Sequence, residues 1–171
     1  LLEGTRDTLY MTLASTLFGY IIGLPMGIVL TVTDKDGIRP NAAVYKVLDV
    51  ISNLLRSIPF IILLIVLIPF TRFVVGRSYG STATIVPLTI AAAPYIARMV
   101  ESSLKEVDAG VIEAARTMGA SDFQIVTKVM LVEARTSLIV GATISLGTIL
   151  GYSAMAGTVG GGGLGDIAIR Y

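Results

Sequence analysis

Residues with the chemistry of catalysis or metal binding are scarce in this chain of 171 residues, which contains no Cys and no His. Those two side chains bind most zinc and transition-metal ions, and no Ser or Asp stands where a nucleophile and a base can be paired. The sequence therefore predicts neither an enzyme nor a bound metal or cofactor. Charged residues that can contact a partner protein concentrate between Val107 and Glu133, among them Glu113 and Arg116.

A second candidate motif is the glycine-rich stretch at 157–166. Gly160, Gly162 and Gly165 satisfy the spacing GxGxxG. A dinucleotide site with this spacing follows a β-strand, whereas a run typical of a membrane helix precedes these glycines. A Walker A loop is excluded as well, because no Lys-Ser or Lys-Thr follows. We therefore reject nucleotide binding at this stretch and expect a tight backbone loop that meets a partner protein. Nothing in the chain predicts binding to nucleic acid.

The polar segment 107–133 predicts two short helices joined by a glycine. Asp108 is a candidate N-cap, because its carboxylate can accept hydrogen bonds from the N–H groups of a first turn. Gly119 can adopt the left-handed conformation that ends a helix, and Ser121 with Gln124 has the capping-box pattern that starts the next one. Four apolar residues of the first helix are predicted to share one face. They are Val111, Ile112, Ala115 and Met118.

The chain as a whole is too apolar for a soluble domain of its length. Its residues are 54% hydrophobic and 15% charged, whereas soluble domains carry about 25% charged residues. A helix needs about 20 apolar residues to cross a membrane. We therefore predict an all-α integral membrane protein, with one transmembrane domain over 1–171. The predicted spans are about 9–32, 50–70, 79–98 and 136–156.

Small residues in the first predicted span favour close helix packing. Gly19, Gly23 and Gly27 recur every four residues, and such a ridge lets another helix approach closely in lipid. The alternative is that a membrane helix merely tolerates these glycines. Pro25 removes one backbone donor from the same span, and Pro87 and Pro94 do so in the third.

The second predicted span is long enough only if its helix begins near Val50 and includes Arg56. We interpret Arg56 as an anchor at the inner face of the membrane, where its long side chain can reach the headgroups. Pro59 then interrupts the hydrogen bonding of the helix that follows.

The distribution of Lys and Arg predicts the orientation. Nine of them lie in or near the first and third connections and four on the other side. The positive-inside rule therefore places the first and third connections, and with them the segment 107–133, in the cytoplasm.

The pattern in the third connection resembles the EAA loop of permeases of ATP-binding-cassette (ABC) importers. It reads Glu113-Ala114-Ala115, with Gly119 four residues later. In the family a second half ends in Ile-x-Leu-Pro, whereas here Val129 and Val132 replace the Ile and the Pro. The resemblance implies a coupling helix that docks on a separate ATPase subunit, with Glu113, Ala114, Ala115, Arg116 and Gly119 in the coupling loop. Read alone, EAAR is also simply good helix-forming sequence.

Two further stretches make the resemblance more specific. RSIPF at 56–60 resembles the stretch that opens the second span in permeases of amino-acid importers. GYSAMAGTVGGGGLGD at 151–166 is similar to the same region of methionine-importer permeases. The resemblance covers essentially the whole chain and implies the core of a type I importer permease, with a fifth span expected after Tyr171 and a few residues before Leu1.

The family implies a particular assembly in the bacterial inner membrane. This chain would form a homodimer in lipid, bind two cytoplasmic ABC ATPase subunits that hold ATP, and receive an extracytoplasmic substrate-binding protein above its glycine-rich loop. Substrate would cross along the dimer interface. Uncharged spans weaken the alternative of an ion-coupled transporter, because such proteins place ionisable groups inside the bilayer.

Met155 is the candidate outer gate, with Tyr152 and Ser153 beside it on the predicted pathway. An unbranched thioether can close an irregular gap, although Met155 is equally suited to filling a contact between helices. Two alternative functions stay open: a permease for another amino acid or small solute, and a channel or structural membrane protein that neither binds nor regulates an ATPase.

Overall fold

The computed structural model describes residues 1–170, which are helical apart from short connections and contain no strand within that range. The helices are α1 (Leu2–Thr33), α2 (Ala42–Ser57), α3 (Phe60–Val66), α4 (Ile68–Val75), α5 (Ser81–Lys105), α6 (Ala109–Thr117), α7 (Asp122–Gln124), α8 (Leu131–Glu133), α9 (Arg135–Ala156) and α10 (Gly163–Arg170). A π-helical turn spans Ile125–Met130, and a 3₁₀ turn spans Gly157–Val159.

Three helices are long and apolar enough to cross a membrane. They are α1, α5 and α9, the last counted together with the 3₁₀ turn. These helices contain the predicted spans 9–32 and 136–156 and nearly all of 79–98. Both α1 and α5 continue through the prolines inside them.

The pairing of α1 with α5 forms the centre of the bundle, and the glycine ridge makes it possible. A Cβ added at Gly23 would lie 2.7 Å from the carbonyl oxygen of Ala93, and one at Gly27 would lie 2.6 Å from that of Ala97. Only hydrogen fits at these positions, so the two backbones touch as the ridge predicts. Around this contact Leu88, Ala92, Ile96 and Val100 of α5 are buried.

The second predicted span differs from the expected single helix over 50–70. Helix α2 already begins at Ala42, where the side chain of Asn41 accepts a hydrogen bond from the N–H of Val44 (3.2 Å). It ends at Ser57, and α3 leaves at an angle of 103°. Pro59 explains the break, since it has no N–H and disfavours a helical conformation at Ile58, which is extended.

The direction of α2 also corrects the interpretation of Arg56. Tyr45 near its start contacts Glu101 of α5, whereas Asp49 contacts Arg98. Helix α2 therefore runs antiparallel to α5, away from the end at which α5 leads into α6. Arg56 lies in the last turn of α2, beyond the level of Arg98, so it does not anchor the start of a span at that face.

Candidate functional site

The loop around α6 has the local geometry that the sequence predicts. The carboxylate of Asp108 accepts a hydrogen bond from the N–H of Gly110 (2.6 Å). Gly119 has φ +85°, and its N–H donates to the carbonyl of Arg116 (3.0 Å), while that of Ala120 donates to Ala115 (3.1 Å). This pair of bonds is a Schellman C-cap, which requires the left-handed residue to be Gly or a close equivalent.

The next helix starts as predicted, with a complete capping box. The N–H of Gln124 donates to the hydroxyl of Ser121 (3.3 Å), and the N–H of Ser121 donates to the side-chain carbonyl of Gln124 (3.0 Å). The π-helical turn then carries Ile125, Val126 and Met130 into the core. The loop is therefore fixed at both ends while its middle faces outward.

The prediction of one apolar face on α6 is half wrong. Ile112 and Ala115 pack against the core, but Val111 is 40% exposed and Met118 is 88% exposed. Met118 lies past the last helical residue, where the chain turns away towards Gly119. Phe123, just after the turn, is 76% exposed. We refer to these exposed apolar residues in and after α6, Val111, Met118 and Phe123, as the α6 surface.

Glu113, Ala114 and Arg116 are all exposed beside this surface. The Arg116 guanidinium donates to the carbonyl oxygen of Ile38 in the α1–α2 connection (3.1 Å). Behind α6, a cavity of about 750 Å³ separates it from that connection, and Glu113 lines it together with Ile112. Arg116 lines this cavity as well, so its bond to Ile38 links α6 with the α1–α2 connection.

A buried cluster of charges lies where α5 leads into α6. Arg98, Glu101 and Lys105 share one face of α5 at spacings of three and four residues. Glu101 is 5% exposed. It accepts from Arg98 (2.7 Å) and from Lys105 (2.8 Å), and Tyr45 donates to it from α2 (3.0 Å).

Two more carboxylates complete the cluster, and each belongs to another element. Arg98 pairs with Asp49 of α2, and Lys105 pairs with Asp34 just after α1 (2.7 Å). The hydrogen bond from Lys105 lowers the pKa of the Asp34 carboxyl from its usual value. The cluster joins α1, α2 and α5 at this end. Sequence reasoning missed it, although the spacing of Arg98, Glu101 and Lys105 was a visible signal.

The three predicted pathway residues have different surroundings. Met155 is 39% exposed on the outside of the chain. Ser153 is buried, and its hydroxyl lies 3.5 Å from that of Thr12 in α1. The ring of Tyr152 stacks on that of Phe60 in α3, with centroids 4.8 Å apart. Of the three side chains, that of Met155 is thus the most exposed. The pathway role of all three stays a prediction.

The glycine-rich loop folds back onto the bundle. Gly160, Gly162 and Gly163 have positive φ values of 75–81°. The loop is held by backbone bonds, in which Gly80 donates to the carbonyl of Gly160 (2.9 Å). The N–H of Leu164 donates to the hydroxyl of Thr8 (2.9 Å). These bonds join the loop to both α1 and the start of α5, as expected for a tight structural loop.

The geometry defines an α-helical membrane protein with an exposed, capped helical loop at one end of its bundle and a glycine-rich loop at the other. The family model described as "Binding-protein-dependent transport system inner membrane component" matches residues 19–170. The chain belongs to this family of multi-pass inner-membrane permeases. Membership removes the alternative of a channel or structural protein, and it makes the chain the non-catalytic subunit of a transporter.

Named relatives are more specific. The chain is 48% identical over 171 residues to the probable D-methionine transport system permease protein MetI of Vibrio cholerae, covering 100% of this chain and 76% of the relative. It is 55% identical to a chain of the MetNI methionine ABC transporter in an inward-facing conformation, with a TM-score of 0.98 and coverage of 100% and 79%. An amino-acid ABC transporter crystallised with histidines, 22% identical with a TM-score of 0.78 and coverage of 99% and 76%, shows the fold alone.

Proposed function

We propose that this chain is the permease subunit of an ATP-driven importer of methionine. The observation that carries the proposal is the match to the methionine transporter chain, at 55% identity and a TM-score of 0.98 across the whole of this chain. The match covers 100% of this chain, so it includes the capped loop around α6 and the glycine-rich loop, which are the two places where partners would bind.

The α6 loop is proposed to face the cytoplasm and to couple ATP hydrolysis to transport. Without Arg56, which the structure moves away from this end, eight basic residues still lie on the α6 side against four on the other. The positive-inside rule therefore gives the same orientation as before. The α6 surface offers Met118 and Phe123 as apolar anchors, and Glu113 and Arg116 lie at its rim, a composition typical of a protein interface.

The partners follow from that orientation. Two copies of this chain would form a homodimer, and two ABC ATPase subunits would bind ATP and dock on the α6 surfaces. A substrate-binding protein would dock outside, over the loop at 157–166. Closure of the ATPases would push on α6, which would pass the movement to the bundle through Ile112 and Ala115, packed against the core.

Met155 is proposed to close the outer end of the pathway. It projects from the last turns of α9, beside the glycine-rich loop, and it is the exposed thioether among small neighbours there. In a dimer the two copies of this flexible side chain can meet at the symmetry axis and fill an irregular gap.

A permease for another amino acid is the competing function, because the same fold occurs in an amino-acid transporter crystallised with histidines. Competition separates the two. Unlabelled methionine should block uptake of labelled methionine by the reconstituted transporter, and polar amino acids should not. Stronger competition by a polar amino acid would show that methionine is not the substrate, and the proposed importer function would stand.

The coupling loop is tested by ATP hydrolysis in the reconstituted full-length permease with its ATPase and binding protein. Gly119→Asp should abolish the stimulation by methionine, because a side chain is strained at φ +85° and its charge lies beside the α6 surface. Gly76→Asp is the matched control, since Gly76 also has φ +81° and open space around it but lies at the other end of the bundle. Normal stimulation in Gly119→Asp would contradict the proposed coupling loop, and loss in both variants would point to misfolding.

A further inference from the structure

The antiparallel pairing of α2 with α5 fixes the depth of Arg56. Asp49 contacts Arg98, and Arg56 follows Asp49 by seven residues, which at about 1.5 Å per residue corresponds to about 10 Å along the helix. The same guanidinium contacts Asn53 (3.1 Å), three residues before Arg56, so Arg56 lies about 5–10 Å further from the α6 end of the bundle than the Arg98 guanidinium does.

A contact on the other side of Arg56 gives the same depth independently. Phe60, four residues later, stacks on Tyr152. Tyr152 follows Arg135, the first residue of α9, by 17 residues, or about 25 Å of helix. Arg56 lies between the levels of Arg98 and Tyr152. Since the hydrocarbon core is about 30 Å thick, this position is inside the membrane.

No counter-charge within the described residues meets Arg56. Its side chain is exposed on the surface of the chain and makes none of the hydrogen bonds or ion pairs found across residues 1–170. The nearest carboxylates, Asp49 and Glu101, lie closer to the α6 end than Arg56 does and already pair with Arg98 and Lys105. The other apolar stretches of these 171 residues carry no Asp or Glu.

An unpaired guanidinium at this depth is too costly to face lipid, so its surroundings must be a water-filled or polar route. Two polar neighbours, Asn53 and Ser57, are exposed on the same last turns of α2. The Asn53 side chain accepts from Arg98 (3.1 Å), and the Ser57 hydroxyl donates to the carbonyl of Asn53 (2.6 Å). The break after Ser57 also ends the helix there. The last carbonyl groups of α2 therefore lack donors within the helix, and they can accept from a ligand.

We propose that Arg56 lines the transport pathway and binds the carboxylate of the transported amino acid. The planar guanidinium accepts a carboxylate through two parallel hydrogen bonds, and the free carbonyl groups at the end of α2 receive the ammonium group of the same molecule. The inference rests on the proposed function, since it takes an amino acid as the substrate. It also accounts for a charge that the otherwise apolar second span retains.

The test uses the reconstituted full-length permease with its ATPase and binding protein, measuring methionine uptake and ATP hydrolysis together. Arg56→Gln should lower uptake about tenfold to a hundredfold, as expected for losing a hydrogen bond to a charged group. ATP hydrolysis stimulated by the binding protein should continue, because Arg56 lies far from the α6 loop. Arg56→Lys should restore a substantial part of the uptake. Lys46→Gln is the matched control, since Lys46 is also an exposed cation of α2 but lies near its start.

Normal uptake in Arg56→Gln overturns the proposal. Accessibility provides a readout that does not depend on activity, because this stretch of 171 residues contains no Cys to interfere. Arg56→Cys should react with a charged, water-soluble thiol reagent, and methionine should slow that reaction. Reaction only with a lipid-soluble reagent would show that the residue faces lipid and would overturn the proposal even if the variants fail to assemble.

The outcomes also separate this inference from the proposed function. If the wild-type complex imports a different amino acid, the methionine assignment fails, and the effect of Arg56→Gln is then read on that amino acid. If the imported solute has no carboxylate, the role of Arg56 is wrong while the importer function stands.

Discussion

Replacing Gly27 by Ala tests whether the contact between α1 and α5 sets the stability of the bundle. The new Cβ would lie 2.6 Å from both the carbonyl oxygen of Ala97 and the Cβ of Val100, whereas non-bonded carbon atoms sit about 3.5–4.0 Å apart. The helices must therefore separate by about 1 Å. Overpacking of this kind costs about 1–3 kcal/mol, and the clash with backbone places Gly27 at the upper end of that range. Ala regains about 1 kcal/mol of helix propensity, which leaves a net loss of about 2 kcal/mol.

Gly141→Ala is the matched control, because Gly141 is also a buried glycine of a membrane helix. Its added Cβ would meet only the side chain of Met99, at an ordinary contact distance of 3.5 Å. We expect this variant to be unchanged or slightly more stable. The assay is unfolding of the full-length permease by SDS in mixed micelles, followed by circular dichroism. The reasoning is refuted if Gly27→Ala unfolds at the same SDS fraction as Gly141→Ala.

Two further substitutions test other parts of the structure. Glu101→Ala should destabilise the same protein by about 3 kcal/mol, because it leaves Arg98 and Lys105 without their shared buried partner. Glu101→Gln should cost less, since an acceptor remains. Equal stability of wild type and Glu101→Ala in the SDS titration would contradict the role of the cluster. Met155→Ala should raise substrate-independent ATP turnover or solute leak in proteoliposomes, whereas Met26→Ala in α1 should not, and unchanged values for Met155→Ala would argue against a gate.

The parts of the fold that the sequence predicts well are those decided locally. Long uncharged runs predict α1, α5 and α9 because each of these helices contains an apolar stretch of about 20 residues, long enough to cross a membrane. The caps at Asp108, Gly119 and Ser121 are also confirmed, since a cap depends on residues within four positions of one another.

The second span could not be predicted in the same way, because one acidic residue of its helix is neutralised by a residue distant in the sequence. Asp49 looks like a residue of a polar connection, but it pairs with Arg98, which lies 49 residues later. With Asp49 paired, α2 can begin at Ala42, before the predicted start near Val50. Arg56 then lies beyond the inner face of the membrane, where its charge alone would place it. The exposure of Met118 was missed for a simpler reason, since helical periodicity does not apply beyond the end of α6 at Thr117.

The contacts of α1 have a consequence for how the protein is made. This helix leaves the ribosome before α5, yet its glycine ridge packs on α5, which begins only at Ser81. The hydroxyl of Thr8 receives its bond from Leu164, 156 residues further along the chain. During synthesis α1 must therefore wait in the bilayer with its ridge uncovered while α2, α3 and α4 are inserted. The central helix pair can thus form only after α5 is inserted, and an insertion delay after α4 would leave a glycine-lined helix exposed to membrane proteases.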